Sequence, residues 1–184
     1  MYPRAVVAMS LARRLDVIAI CDHNASENIP YVIKCAEGTG LTVLPGMEIM
    51  SSEEVHILAL FDKLEHLNPL QNLVYRHLSG KNNEELFGCQ AIVNAHDEVE
   101  GLSERFLIGA TTLPLSEIVN EIHSLGGLAI AALGHQNKYI GHELGLAPST
   151  VATHLESLRK KLGLSSRREI IETFSFVREF THAF

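Results

Sequence analysis

Residues 16–61 read DVIAICDHNASENIPYVIKCAEGTGLTVLPGMEIMSSEEVHILALF, and the fold turns on this stretch. An apolar run, Val17 to Cys21, stops at three polar side chains in a row, Asp22-His23-Asn24. A second run, Leu41 to Leu44, stops at Pro45-Gly46-Met47-Glu48, and a third, Val55 to Phe61, carries His56 just inside it. Short β-branched runs bounded by polar and turn residues predict buried strands. Between the first two, Asn28-Ile29-Pro30 predicts a helix start, with Asn28 as N-cap and Pro30 in the first turn, and Gly38 and Gly40 end it. Strand, helix, strand implies a parallel pair with a right-handed crossover. Strand ends that gather Asp, His and Glu are where α/β proteins build metal and catalytic sites.

Outward from this stretch the chain keeps alternating. Residues 4–14 predict an amphipathic helix, which Arg13, Arg14 and Asp16 distinguish from a signal peptide. Asp62 to Leu78 predicts a helix divided by Pro69. Gly88 to Asn94 and Val99 to Leu102 predict a hairpin with His96-Asp97-Glu98 at its tip. Pro114 to Leu125 predicts a helix closed by Gly126-Gly127, and Leu128 to Ala132 a final strand. His66, His77 and His123 fall on predicted helices as surface or interface residues.

Composition narrows the class. Of the 184 residues, 46% are hydrophobic and 20% charged, as in globular proteins, and no apolar run approaches the ~20 residues of a membrane span. Cys21, Cys35 and Cys89 form no C-x-x-C pair and are odd in number, which argues for a reducing cytoplasm rather than a disulfide framework. The net charge is −7, yet residues 133–184 hold seven Lys/Arg against five Asp/Glu, +2, leaving −9 for the rest. An acidic body with a mildly basic tail points to two functions.

DVIAICDHNASEN resembles the TDHN segment of the PHP (polymerase and histidinol phosphatase) family of metal-dependent phosphoesterases. LPGMEI and VHILALF resemble its next two metal-bearing segments, and the similarity continues through FGCQAIVNAHDEVEG and RFLIGATTLPLSEIVNEIHSLGGLAIAA. The resemblance implies an incomplete PHP-like (β/α) barrel fragment over residues 1–132. It implies His23, Glu48 and His56 as ligands of a divalent metal (Zn, Mn or Fe), with Asp22 a ligand or its supporting partner. Asp22 and His23 would carry catalysis, in which metal-activated water hydrolyses a phosphate ester. The family's opening H-x-H pair, the histidine after AA (here Leu133) and the final D-x-H pair have no counterpart in this chain. His135 lies two residues beyond the position of the missing histidine. A reduced ligand set predicts impaired metal affinity.

From Leu133 the text is LGHQNKYIGHELGLAPSTVATHLESLRKKLGLSSRREIIETF, which resembles the helix-turn-helix domain of LuxR-type regulators through GHQNKYI, ELGLAPSTVATHL, KKLGL and SSRREII. Residues 133–184 are thus expected to be an all-α DNA-binding domain, with helices over Asn137–Leu144, Pro148–Leu162 and Arg167–Phe176. Ser149, Thr150, Thr153 and His154 would read DNA, and Lys138, Arg159, Lys160, Lys161 and Arg167 would meet phosphates. Glu156 opposes them, and Ala147 replaces a capping serine. Leu128–Ala132 is claimed twice, as a strand by one resemblance and as a helix by the other. Two functions follow as expectations. One is a metal-dependent phosphoesterase fused to a DNA-binding module. The other is a LuxR-type transcription regulator whose degenerate PHP-like part senses a ligand or forms a homo-oligomer. The expected partners are a phosphate ester and double-stranded DNA, in the cytoplasm and away from membranes.

Overall fold

The computed structural model describes residues 2–132; the expected helix-turn-helix, its nine candidate DNA-contacting residues and His135 lie outside the described residues. Strand β2 (Thr42–Met50) is far longer than the Leu41–Leu44 run suggests, because it continues through Pro45-Gly46-Met47-Glu48. Its first half pairs in parallel with β1 (Val17–Ile20), from Val17↔Thr42 to Ile20↔Pro45. Its second half pairs on the other edge, antiparallel, with β3 (His56–Leu60), from Gly46↔Leu60 to Met50↔His56. Pro45 lacks an N–H and falls where the first ladder ends, so it costs no interior hydrogen bond. Gly46 is required by crowding: a Cβ there would lie 2.6 Å from Cys21 Sγ and 2.8 Å from the Ala59 carbonyl oxygen.

Between β1 and β2 runs α2 (Ile29–Ala36), which supplies the expected crossover. β6 (Leu128–Ala132) pairs antiparallel with β3, giving among the described residues a mixed four-stranded sheet in the order β1-β2-β3-β6. Only the first of its three pairings is parallel, so the fold is mixed α/β. The sheet packs with α2, α3 (Leu64–His77) and α5 (Leu115–Ser124), while α1 (Pro3–Ala12) lies on α2. Met47, Ile49, Ile57 and Ala59 are fully buried with Val32, Leu67, Leu70, Val74, Ile118 and Ile122. Each large aliphatic side chain buried in this way contributes roughly 1.5–3 kcal/mol.

Pro69 does not divide α3, which runs unbroken over 14 residues. It is exposed, and its missing N–H costs the helix one bond, while Leu67, Leu70 and Val74 anchor the buried face on both sides of it. Asn28 stands at the N-cap of α2, but its side chain makes no cap bond. Its oxygen accepts from Val93 N (2.9 Å) and its amide donates to Ala91 O (3.3 Å), which ties α2 to the hairpin of β4 (Ala91–Val93) and β5 (Val99–Leu102). The Tyr31 hydroxyl, donating to Glu100, makes a second tie. The helix α5 closes as expected: Gly126 takes φ +79, and Gly127 N donates to Ile122 O at 2.8 Å. A short helix, α4 (Glu84–Phe87), precedes the hairpin and is capped by Asn83. No helix among the described residues is long and apolar enough to cross a membrane.

Candidate metal centre

Strand register puts three donors on one face. Met47 and Ile49 point into the core, so Glu48 between them points the other way, as do His56 and Leu58 opposite it. Glu48 faces Leu58 directly, which makes His56 its diagonal neighbour across the β2–β3 pair. Past the end of β1 the chain keeps following β2: Glu48 N donates to Asp22 O (3.1 Å), and Asn24 N donates to Glu48 O (2.7 Å). His23 thereby forms a single parallel bridge with Glu48 and joins the same face.

Potential ligand atoms of His23, Glu48 and His56 all lie within 4.8 Å of one another. One carboxylate oxygen of Glu48 is 2.7 Å from His56 Nδ1 and the other 3.7 Å from His23 Nδ1. The two imidazoles stand 5.1 Å apart, tilted by 59°. Glu48 is only 9% exposed. Burial pushes its pKa up, but the hydrogen bonds and charge of His23 and His56 outweigh burial and hold it down to about 2. His23 Nε2 is buried and has no hydrogen-bond partner among the described residues. A buried ring nitrogen without a partner costs desolvation energy unless something coordinates it. Two imidazoles, one with this orphaned nitrogen, and a carboxylate fit a divalent transition metal. The Glu48–His56 bond, with the proton on Nδ1, leaves Nε2 of His56 as the ligating atom, the carboxylate–histidine pattern of many metal sites.

Asp22 lies outside this three-residue cluster. Its half-buried carboxyl is pushed above the usual range by loss of hydration, against which the Asn28 amide, 3.3 Å from Oδ2, works to lower it. The Cys21 thiol is pushed up by burial and by the charges of Asp22 and Glu48, which keeps it neutral and a poor ligand. Elsewhere, half-buried His66 bonds Asp62, half-buried His77 bonds Thr112, and His123 is exposed. His96 is exposed at the hairpin tip, and Asp97 accepts from Arg4 N there.

Asn24 holds the centre together, a role that sequence patterning does not announce. It is fully buried with φ +51, a backbone region that asparagine enters more readily than most residues. Its amide donates to Leu107 O (2.7 Å) and Gly109 O (2.8 Å), and its oxygen accepts from Met50 N (3.2 Å). Gln71 links the Asn24 carbonyl (3.3 Å) to the Ser26 hydroxyl (2.7 Å) and so anchors the loop to α3. The only local signal was a polar residue tolerant of positive φ immediately after Asp-His.

Residues 128–174 match the family described as bacterial regulatory proteins, luxR family (GerE). That match begins on the first residue of β6, so Leu128–Ala132 belongs to the sheet and to the matched region alike. No curated protein matches the chain. Among solved structures, an amidohydrolase from Chromobacterium violaceum, with sulfate bound and no metal, is similar at TM-score 0.50 and 15% identity, over 89% of this chain and 79% of that one. A protein assigned as a metal-dependent phosphoesterase from Bifidobacterium adolescentis is similar at TM-score 0.48 and 18% identity, over 74% of this chain; the match spans 63% of that chain. At these identities the likeness concerns the fold.

Proposed function

We propose that residues 1–132 form a divalent-metal centre of the phosphoesterase kind and residues 133–184 a LuxR-type DNA-binding module. The observation that carries the reading is the buried Nε2 of His23, without a hydrogen-bond partner among the described residues, within a His–Glu–His donor set. His23, Glu48 and His56 would hold one ion. Three protein ligands is the number that catalytic zinc sites use while keeping a position open. Zinc, manganese or iron, when bound, lowers the pKa of water and offsets the charge of a phosphate ester. Glu48 would orient the His56 imidazole through one oxygen, 2.7 Å from Nδ1, and turn the other, 3.7 Å from His23 Nδ1, to the ion. Asp22, beside His23, has a carboxyl that burial pushes up from its ordinary pKa and that the Asn28 amide on Oδ2 works to lower, and it would exchange a proton at Oδ1.

Elemental analysis of the purified, chelator-treated and reloaded chain, beside His23→Ala, tests this. About one metal per chain, lost in the variant, supports the reading, and hydrolysis of a simple phosphate monoester should then vanish in His23→Ala. Wild type as empty as the variant refutes it.

A second reading rests on the match over residues 128–174: a DNA-binding regulator in which the α/β part senses a ligand or mediates dimerisation. Duplex affinity should then fall steeply with salt and disappear on removal of residues 133–184. Salt-independent or tail-independent binding would overturn it.

A further inference from the structure

The sheet has an open edge at β1. Thr42 N donates to Asp16 O at 2.8 Å and Glu48 N to Asp22 O at 3.1 Å, so the even-numbered residues here turn their peptide groups to β2. In a strand paired on one side the alternate residues face away. The N–H and C=O groups of Val17, Ala19 and Cys21 therefore point outward, where no strand lies among the described residues. Border strands are usually guarded by charge, proline or a bulge. Val17 is instead apolar and 54% exposed. The hairpin shows the contrast, since the outer edge of β4 commits Val93 N and Ala91 O to Asn28.

The stretch leading into β1 has the same character. In α1, Val7 and Ser10 are buried, yet Ala5, Ala8, Met9, Leu11 and Ala12 are exposed and uncharged, where a helix facing only water carries polar and charged residues. Residues 13–16 alone separate this helix from β1. Charge divides across the strand. Arg4, Arg13 and Arg14 precede Asp16 with no acidic residue among them, whereas Asp22 and Glu27 follow the strand. An antiparallel strand of the same sequence would set the basic end of each copy beside the acidic end of the other.

We infer that a second copy of this chain occupies the edge, β1 against β1, antiparallel about a twofold axis. The inference rests on the second reading above, in which the α/β part mediates dimerisation, and it names the surface. Outward-facing residues must meet one another, which leaves few registers. Val17 opposite Ala19 of the second copy puts Arg14 opposite its Asp22. Val17 opposite its Cys21 would set Asp16 against its Asp22, like charge on like, and Val17 opposite its Val17 matches no charge. The first register is therefore favoured. A twofold axis normal to the sheet joins two four-stranded sheets into one and keeps both His23–Glu48–His56 clusters on the same face. A strand of four residues buries too little by itself. A stable interface takes on the order of 1,200 Å² or more, and the uncharged side of α1 supplies the remainder.

The test is sedimentation velocity of the full-length chain over a range of concentrations, with amide hydrogen exchange at Val17 and Ala19. Wild type should form a dimer, and both amides should gain protection as it forms. Ala19→Pro removes an N–H that its own sheet does not use, and Val17→Lys places a charge on an exposed edge residue. Each should weaken association about tenfold or more, with far-UV circular dichroism reporting that the fold is kept. Leu86→Lys, on exposed α4, should associate as wild type. A chain that stays monomeric, a dimer indifferent to Val17→Lys, or an equal loss in Leu86→Lys overturns the inference. So does protection of Val17 and Ala19 that is independent of concentration, because another segment of the same chain then covers the edge. Duplex binding reports separately on the regulator reading. A monomer that binds DNA through residues 133–184 removes the interface and keeps the regulator, whereas a β1-dependent dimer that binds no duplex does the reverse.

Discussion

Replacing Asn24 tests how the metal-centre loop is built. The side chain makes three buried hydrogen bonds, to Leu107 O, Gly109 O and from Met50 N, each worth roughly 1 kcal/mol net. Alanine would lose all three and adopt φ near +51, which adds about 1 kcal/mol of backbone strain. Asn24→Ala should therefore cost about 4 kcal/mol, and Asn24→Gly about 3, because glycine carries no such strain. Asn24→Asp should be the worst of the three at neutral pH, since its carboxylate faces two carbonyl oxygens in a site that excludes water. The chain has no tryptophan, so urea unfolding can be followed through tyrosine fluorescence, with Tyr31 and Tyr75 reporting on this region. Hydrogen exchange at the Met50 amide gives a local readout, because that amide donates to Asn24 Oδ1. A cost below about 1 kcal/mol for alanine, or aspartate no worse than alanine, would refute the account.

Two further substitutions probe the scaffold. Gly46→Ala would drive a methyl into Cys21 Sγ and the Ala59 carbonyl; backbone cannot move aside cheaply, so a loss of about 1–3 kcal/mol in urea unfolding is expected, and an unchanged midpoint would remove the crowding argument. Glu53 receives the Leu115 N–H at the start of α5, at 3.0 and 3.1 Å. Partial burial works to raise its pKa, but bonds from Ser51, its own backbone, Leu115 and Ser52 bring it below the usual value of 4.5. A lowered folded-state pKa means stability that is present above the unfolded value and lost as pH falls through the folded one. Glu53→Gln should thus lower the melting temperature at pH 7 and flatten its decline below pH 4.5, and parallel acid limbs for variant and wild type would contradict this.

Much of the architecture was legible because it rests on local patterns. The β-branched runs at Val17 and Val55, the helix closed by Gly126-Gly127, and the polar residues at the ends of the first three runs all signal their roles through residue type. The extent of β2 was not legible. Pro45-Gly46 reads as a strand terminator unless one knows that the ladder with β1 ends at Pro45 while the ladder with β3 begins at Gly46. That exchange of edges also generates the site, for it carries Glu48 onward to meet His56 on the diagonal and His23 across the bridge. Asn28 misled for a similar reason. Its type and position suit a cap, yet Val93 N and Ala91 O, more than 60 residues away, claim its side chain.

The doubly claimed segment, Leu128–Ala132, shows how such a conflict is decided. Its sequence, LAIAA, favours helix over strand by propensity, but only by tenths of a kcal/mol per residue. A helix starting at Leu128 would also need partners for its first N–H groups, and Gly127 at the cap position has no side-chain oxygen to accept from them. Gly127 is held to Ile122 O, and a Cβ there would meet the Phe61 ring at 2.5 Å, so the chain leaves α5 in a fixed direction. That direction lays Leu128 against Leu60 and Ala132 against His56. As a strand, the segment pairs the open edge of β3 along five residues, sparing the alternate residues whose N–H and C=O point that way a cost of roughly 1 kcal/mol or more per buried group. Tertiary pairing outweighs the propensity of three alanines. The strand that results keeps β3, and with it His56, between two neighbours.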